Sequence, residues 1–382
     1  MKASVFVFLL TLLLVGTAPA VDSLNVRLIG FYHTSNMARG VDVGGDYACV
    51  ADNYAGLRVI YVADPTAPSE VGHYDNPGVT THLAIIDTDY VYLPDSGSGV
   101  HVISLADPAH PAEVGFLNTP SHVGGIAVAG SYAYVAVGGE LLVVSVADPA
   151  NPSIVASCDT SGTAVSDVAV SGDYAYAIDF NQGLQVISVV DPAHPVEVGH
   201  CDMTGAWSVA VSGSYVCAGG LGGLSVISVA DPANPTKVGS YVTANAVNDV
   251  TMDGDVAYAG VGAYGFRVVS IEDPAHPLEV GHYKEIGQAY GVTLAGGYIF
   301  LADGSTGLLI LQYYGAGVEE TPKPHALSRK LAATVMRSLP AGVVAFDAMG
   351  RRVLNPRAGI CFVREAQAQA QAQAVRKVIV TR

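Results

Sequence analysis

Charged residues are scarce in this sequence of 382 residues. They make up 14% of the chain, against roughly a quarter in ordinary soluble proteins, while half of the residues are hydrophobic. The basic sign is the scarcer one, with 18 Lys and Arg against 34 Asp and Glu, for a formal net charge of -16. A chain this apolar does not stay disordered, and its negative charge repels phosphate backbones and anionic membranes. Composition therefore argues against disorder and against nucleic-acid binding.

Long apolar runs are also rare, and the one that stands out lies at the N-terminus. Lys2 precedes an apolar segment over residues 5–15, and Ala18-Pro19-Ala20 follows as a small-residue cleavage site. This pattern is typical of a secretory signal peptide. We expect residues 1–20 to be removed, the mature chain to begin near Val21, and the protein to be secreted or held on the outer cell surface. No later run approaches the roughly 18 apolar residues of a spanning helix, so the mature chain is predicted to lack a transmembrane segment.

Cysteine and tryptophan are few, with five residues and one residue. Cys49 and Cys217 stand at a strand position where equivalent segments carry tyrosine or phenylalanine, so we expect small buried thiols rather than a disulfide framework. Strings of the G-x-S-x-G, H-E-x-x-H and P-loop types do not occur in the sequence. Catalysis by a familiar motif is therefore disfavoured, and no cofactor is predicted.

Glycine and proline are abundant by contrast, with 43 and 20 residues, and they belong to a repeat. The pattern D-P-x-x-P begins at Asp64, Asp107, Asp148, Asp191, Asp231 and Asp273. A period near 42 residues is typical of propellers and solenoids. Each period contains four runs of β-branched and aromatic residues, which we label a to d in order and which have the length and boundaries of strands.

Counting these strands favours a closed ring. Strand a recurs seven times, and so does strand d, but the first strand d, Val26 to Tyr32, precedes any strand a. The last period ends after strand c near Tyr314. Pairing the N-terminal strand with the strand from Leu308 to Tyr313 would remove an exposed edge. We therefore predict an all-β fold, a seven-bladed β-propeller closed by its N-terminal strand.

The innermost strand predicts how the blades stack. One side of strand a carries large residues such as Val168 and Val170, whereas the other carries small ones such as Ala127, Ala169 and Ala210. Large sides can pack on the small sides of neighbouring blades, which buries both faces of each sheet. This arrangement explains a low charge content without a membrane.

The repeat resembles a known family. The string over residues 183–192, GLQVISVVDP, followed by Glu197-Val198-Gly199-His200, resembles the LVIVD repeat of secreted and surface bacterial propeller proteins. The resemblance covers about residues 24–314 in period, strand order and turn. It implies the fold and an exported location, and it brings no shared catalytic residues.

The end of the chain resembles a second family. After a linker over residues 315–327, the strings VAFDAMGRRV (344–353), GICFVR (359–364) and RKVIVTR (376–382) resemble the C-terminal sorting domain of type IX secretion substrates. That resemblance implies a small β-sandwich-like domain over residues 328–382, recognised by the type IX secretion machinery. An Ala-Gln tract over residues 366–374 departs from the family pattern.

Charge separates these two parts. Residues 24–314 hold 29 acidic and 6 basic residues, a net of -23, whereas residues 321–382 hold 2 acidic and 11 basic residues, a net of +9. The contrast supports a boundary in the linker, with a propeller over residues 21–314. Basic residues alternate with apolar ones in the tail, so we interpret them as a solvated or secretion-facing strand surface rather than a nucleic-acid site.

The two faces of the predicted ring differ. One carries the a–b turns and the uniform Asp-Pro turns, where we expect His110, His194 and His276 to be exposed. The other carries the d–a loops, which vary as a recognition surface would. Around the channel mouth, at the entry of strand a, the equivalent positions of the seven blades hold Arg39, His82, Gly124, Ser166, Trp207, Asn248 and Tyr290.

This ring of seven predicts a binding site for a polar ligand, an unknown surface glycan, peptide or protein. Trp207 and Tyr290 would act as stacking platforms. Arg39, His82 and Asn248 would supply hydrogen bonds. The competing interpretation is that the seven side chains only plug the channel.

Two sets of aspartates leave further alternatives open. Asp167 and Asp249, one residue below the mouth, could form a carboxylate pair, as in metal-dependent lactonase propellers; a metal-dependent hydrolase is thus the alternative function. Isolated polar residues in a wet channel are the simpler explanation. Asp52, Asp95, Asp179 and Asp303 each precede a glycine by four residues. Calcium binding and a local Asx turn both fit that spacing, and the turn is favoured.

Overall fold

The computed structural model describes residues 23–315, except 77–79, 81–83, 87–88, 96, 98, 161, 163 and 285–286, and five strands nearer the C-terminus. Residues 23–315 form seven antiparallel sheets, six of four strands and one of five. The predicted seven-bladed β-propeller is confirmed, and no helix occurs in the described part of the chain. Accordingly, these residues include no helix that could span a membrane.

Each blade runs a, b, c and d from the channel to the rim, and we number the blades 1 to 7 along the chain. The innermost strands a are Gly40–Gly44, Ala84–Ile86, Val123–Ala129, Val165–Ser171, Ala206–Ser212, Asp249–Asp253 and Gly291–Ala295. Strands b are Tyr47–Ala51, Tyr90–Asp95, Tyr132–Val137, Tyr174–Asp179, Tyr215–Gly220, Val256–Gly260 and Tyr298–Ala302. Strands c are Leu57–Tyr61, Gly99–Ser104, Glu140–Ser145, Gly183–Ser188, Gly223–Ser228, Phe266–Ser270 and Leu308–Tyr313. The outer strands d are Ser69–Tyr74, Ala112–Asn118, Ser153–Asp159, Val196–Asp202, Thr236–Tyr241, Leu278–Tyr283 and, for blade 7, Val26–Tyr32.

The N-terminal strand closes the ring as predicted. Val26–Tyr32 pairs antiparallel with Leu308–Tyr313, from Val26 opposite Tyr313 to Tyr32 opposite Leu308. The structure adds a short strand, Ser23–Leu24, that pairs with the outer strand of blade 6. Between the two strands, Asn25 adopts a positive φ of 53° and donates its side-chain amide to the carbonyl of Val280. The N-terminal segment thus binds both blade 6 and blade 7.

Seven hydrophobic clusters fill the seven interfaces between blades. The cluster between blades 3 and 4 shows the predicted packing, because Val168 and Val170 of blade 4 contact the same cluster as Ala127 of blade 3. Ala169 of blade 4 points the other way and packs with Val209 of blade 5. Cys49 and Cys217 are fully buried and carry free thiols, as expected.

A glycine in the outer strand lets the blades approach at the rim. At Gly199, a Cβ atom would lie 2.1 Å from the carbonyl oxygen of Pro232 in the Asp-Pro turn of the next blade. Four further glycines stand under the equivalent proline carbonyl at 2.0–2.2 Å: Gly30, Gly72, Gly115 and Gly239. The recurring glycine therefore has a steric cause, since a side chain here would push the neighbouring turn away.

The C-terminal part forms a separate compact unit, from Glu319 to Arg382. Its described strands are Thr334–Met336, Val344–Phe346, Arg352–Val353, Gly359–Arg364 and Val375–Val380. They form one sheet, in which the first strand runs parallel to the last and the other pairs are antiparallel. The sandwich architecture and the sorting domain stay predictions, and the Ala-Gln tract lies outside the described residues.

Candidate functional site

A cavity of about 460 Å³ lies at the channel mouth, on the face of the d–a loops. Six of the seven ring positions line it: Arg39, Gly124, Ser166, Trp207, Asn248 and Tyr290. The seventh, His82, lies outside the described residues. The sequence therefore placed four of the five proposed ligand-binding residues at one cavity, which falls in the range of roughly 300–1,000 Å³ usual for ligand pockets.

The backbone holds the ring residues in two ways. In blades 1, 6 and 7, the N–H of the ring residue donates to the carbonyl of the last residue of strand b. Arg39 donates to Ala51 at 2.9 Å, and Tyr290 donates to Ala302 at 2.9 Å. In blades 4 and 5, the ring residue occupies a β-bulge, because Ser166 and Trp207 are skipped in the pairing with strand b. A bulge re-aims the side chain that it carries, and here that side chain lines the cavity.

Trp207 is half-buried and stacks on a second aromatic ring. The rings of Trp207 and Phe180 are nearly parallel, 6° apart, with centroids at 6.1 Å. Phe180 comes from the b–c loop of blade 4, so two blades contribute to one aromatic shelf. Sequence analysis missed Phe180, although its place directly after Asp179 at the end of strand b puts it on this face.

Arg39 and Tyr290 form a second pair across the junction of blades 7 and 1. The guanidinium carbon of Arg39 lies 4.9 Å from the centroid of the Tyr290 ring, a cation–π contact. The Tyr290 hydroxyl donates to the side-chain oxygen of Gln288 at 2.5 Å. The contact orients a planar group with several N–H donors at the cavity wall.

Among the polar residues that line the cavity, Asn248 also has a contact within the scaffold. Asn248 donates its side-chain amide to the carbonyl of Ala289 at 2.8 Å, which joins blade 6 to blade 7. Its amide therefore has a structural role beside any role in binding. Ser121 and His122, from the d–a loop of blade 3, also line the cavity and are exposed. Both stand in a loop that the sequence marked as variable.

Asp167 and Asp249 lie one residue below the mouth, and each accepts hydrogen bonds from its own blade and from the next. Asp167 accepts the N–H of Val168 in its own strand and the N–H of Val209 in blade 5, at 2.8 and 2.9 Å. Asp249 likewise accepts from Val250 and from Val292 of blade 7, both at 2.8 Å. A Cβ on Gly125 would lie 2.4 Å from the Asp167 carboxylate, so the glycine leaves room for it.

Burial dominates the protonation of this pair. Desolvation and the nearby charge of Asp249 raise the pKa of Asp167 to about 8. Desolvation also raises the pKa of Asp249 to about 6, against hydrogen bonds from Val292 and Ser208 that favour its ionised form. Among the described residues, no group of three or more His, Cys, Asp and Glu is placed to hold a metal ion. The geometry of both aspartates is that of inter-blade hydrogen bonding.

Two of the aspartates at the ends of strands b, Asp52 and Asp179, bond to the d–a loops. Asp179 accepts the N–H groups of Asn181 and Gln182 in its own turn and that of Ala164 in the d–a loop. Asp52 similarly accepts from Asn36. The Asx-turn interpretation is thus confirmed for Asp179. In the Asp-Pro turns of the opposite face, the side chains of His110, His194 and His276 are 81–84% exposed, as predicted.

These features define the class of protein: a closed seven-bladed propeller scaffold with uniform turns on one face and a lined cavity on the other. The sequence matches the LVIVD repeat at residues 35–76, 78–119, 120–160, 162–203, 205–243, 245–285 and 286–311. These matches span more than half of the chain, and the protein belongs to the LVIVD repeat family.

Comparison with solved structures supports the fold alone. The chain is similar to the computationally designed Ika8 protein, with a TM-score of 0.57 and 10% identity, over 75% of this chain and 99% of that one. It is also similar to the WD40 repeats of RRP9, with a TM-score of 0.63 and 10% identity, over 77% of this chain and 100% of that one. No curated protein matches the sequence.

Proposed function

We propose that this propeller is an exported, non-catalytic binding scaffold that takes a polar ligand, a surface glycan or a protein segment, at the channel mouth. The observation that carries the proposal is that two aromatic side chains line one cavity: Trp207, which stacks on Phe180 behind it, and Tyr290, which contacts Arg39. Aromatic faces beside a planar donor suit sugar rings and polar side chains, which present both C–H and hydroxyl or carboxylate groups.

Backbone hydrogen bonds of two described loop residues support this proposal. Ala38, in a d–a loop, bonds to Gly304 in the b–c loop of the preceding blade in both directions, at 3.0 and 3.1 Å. Ala289 bonds to Gly262 in the same way at 3.1 Å. A preorganised rim lowers the entropy that binding would otherwise cost. The described side chains at the mouth leave a cavity of about 460 Å³, which supports binding over a plugged channel.

The direct test is a glycan array followed by titration calorimetry with the purified protein. Trp207→Ala and Tyr290→Ala are each expected to weaken the best glycan about tenfold or more, since each removes a stacking face worth about 1.4 kcal/mol or more. Tyr54→Ala is the matched control, because Tyr54 is 70% exposed in the b–c loop of blade 1 and does not line the cavity. Equal affinity for the parent protein and both mouth variants would refute the site.

The same assay addresses the alternative of a metal-dependent hydrolase. Cleavage of a bound glycan or lactone that stops in Asp167→Asn would favour catalysis in the channel. Release of the intact ligand would support recognition instead.

Export and sorting belong to the same proposal, and their support is in the sequence: the apolar segment 5–15 with its Ala18-Pro19-Ala20 site, and the C-terminal strings. In a bacterium that carries type IX secretion, we expect an extracellular form beginning near Val21. Removing residues 377–382 should retain the protein in the cell with its propeller folded. An extracellular truncated protein would contradict the sorting assignment and leave the mouth site untouched.

A further inference from the structure

A second cavity, of about 360 Å³, lies on the opposite face, at the junction of blades 6 and 7. Its lining includes Asp253, Tyr258, Leu294, Gly297, Ile299 and Tyr313. Asp253 is the last residue of strand a in blade 6, and Gly297 lies in the a–b turn of blade 7, which places the cavity on the turn face, away from the channel mouth. Nothing in the proposed function uses it.

A change in the repeat explains why space exists at this junction. Strand b begins with a tyrosine in six blades and with Val256 in blade 6. Each tyrosine packs in the cluster between its own blade and the next, as Tyr215 does between blades 5 and 6. Val256 takes the equivalent place between blades 6 and 7. The smaller side chain leaves that interface less filled at its turn end.

The a–b turn of blade 7 is also smaller than the others. Gly297 stands where the other six blades carry aspartate or serine: Asp46, Asp89, Ser131, Asp173, Ser214 and Asp255. A Cβ on Gly297 would have no atom within 4 Å, so the turn borders open space. Val256 and Gly297 are thus small residues at the same junction, between blades 6 and 7, and the cavity lies at that junction.

Three tyrosines line this cavity, Tyr258, Tyr298 and Tyr313, and two of them are in contact. Tyr258 and Tyr313 meet edge to face, with centroids 6.4 Å apart and planes at 79°. Leu294 and Ile299 pack in the same cluster between blades 6 and 7. Perpendicular rings beside apolar walls form a corner that suits a rounded, methylated group better than a flat one.

The charge at this corner is negative. Asp253 is exposed at the cavity, and Glu272 is exposed on the same face. After desolvation, the charge of Asp253 is the next cause that raises the pKa of Tyr258, and Glu272 acts in the same sense on Tyr313. No Lys, Arg or His is among the described residues that line the cavity. The surrounding propeller carries a net charge of -23 over residues 24–314.

We propose that the cavity between blades 6 and 7 is a second binding site, for an organic ammonium cation such as a choline-like group. The methylated ammonium lies against the faces of Tyr258 and Tyr313, and Asp253 neutralises its charge. Cation–π attraction by two rings and a carboxylate at the entrance together select a cation over a neutral molecule of the same shape.

Titration calorimetry of the purified protein with choline tests the site, with 3,3-dimethylbutanol as the neutral isostere. Choline should bind about tenfold more tightly than the isostere, because the tyrosine rings and the carboxylate attract only the cation. Raising the salt concentration should weaken choline binding. Equal affinity for the two ligands, or no choline binding up to high millimolar concentration, would overturn the proposal.

Val256→Tyr is the sharpest variant, because it restores the residue of the other six blades and should fill the cavity. We expect it to abolish choline binding while thermal unfolding stays at or above that of the parent. Asp253→Asn alters an exposed side chain, so it keeps the test decisive if Val256→Tyr folds poorly. This variant should weaken the affinity for choline about fivefold. Unchanged choline affinity in Asp253→Asn would contradict the proposed site.

Discussion

The two faces of the propeller differ in the connections between their strands. The turn face carries the a–b turns and the uniform Asp-Pro turns, whereas the mouth face carries the d–a loops around the channel mouth. On the turn face, six aspartates accept the backbone N–H two residues later at 3.1–3.2 Å. Five of them also accept from the His or Asn three residues later at 2.8–2.9 Å. On the mouth face, the blades differ: some ring residues follow a simple strand entry and others sit in bulges.

This difference distinguishes the residues that serve the scaffold from those of the candidate site. Repetition on the turn face has a local physical cause, because each Asp-Pro turn closes its own hydrogen bonds. In five of the six turns the proline carbonyl also lies over a glycine of the preceding blade. Variation on the mouth face has no such local cause. We therefore expect changes in the Asp-Pro turns and at the rim to alter stability without altering binding at the mouth, and changes at the mouth to do the reverse.

Removing the closing strand should have the largest effect. Deletion of residues 21–34 leaves blade 7 without its outer strand and exposes the edge at Leu308–Tyr313, so we expect loss of cooperative thermal unfolding. Deletion of residues 21–24 removes only the short strand on blade 6 and is the matched control, with a smaller decrease in Tm. If the longer deletion unfolds within a few degrees of the parent, closure does not stabilise the ring.

A side chain at the rim glycine should have the next largest effect. Gly199→Val places a Cβ against the Pro232 carbonyl and should lower the free energy of unfolding by about 3 kcal/mol. The control comes from blade 3, where Ala156 stands at the equivalent position opposite Val143. Ala156→Gly should change the free energy by less than about 1 kcal/mol. Denaturant titration measures both, and similar small values would show that the close approach is easily relieved.

The channel aspartates should make stability depend on pH. Because the pKa of Asp167 is raised to about 8 and that of Asp249 to about 6, the folded state holds protons that the unfolded chain releases above about pH 4. The stabilisation of the folded state by these bound protons is complete below about pH 4 and is lost as the pH rises towards 8. Since both side chains keep some surface in the channel, we expect a loss on the order of 1–3 kcal/mol. Urea titrations from pH 4 to 8 measure how the free energy of unfolding depends on pH. Asp167→Asn should make this dependence weaker, and an unchanged dependence would contradict the assigned role of Asp167.

A single turn cap should have the smallest effect. Asp231→Ala removes the acceptor for Ala233 and Asn234, and we expect Tm to fall by about 2 °C because five similar turns remain. Binding at the mouth should be unchanged. A measurable loss of ligand affinity in this variant would break the separation between the two faces.

Much of the scaffold could be predicted from sequence because burial imposes a regular pattern. The alternation of valine and alanine in strand a, and the unpaired first strand d, were enough to predict the stacking and the closure of Val26–Tyr32 on Leu308–Tyr313. The site was harder. A bulge at Trp207 shifts the register by one residue without changing composition, and the stack with Phe180 depends on that shift. The hydrogen bond of Asp167 to the next blade depends on the N–H of Val209, which no local sequence pattern indicates.

The ring closure also governs the order in which the chain can fold. Arg27 and Gln312, which hydrogen-bond across the closing strands, are 285 residues apart. Bringing the ends of so long a loop together costs about 5 kcal/mol of chain entropy, and contacts of this separation slow folding. The strand Val26–Tyr32 must therefore wait without its partner until Leu308–Tyr313 has been synthesised. Blades 1 to 6 can accumulate native packing before then, but the ring becomes one cooperative unit only at its final strand.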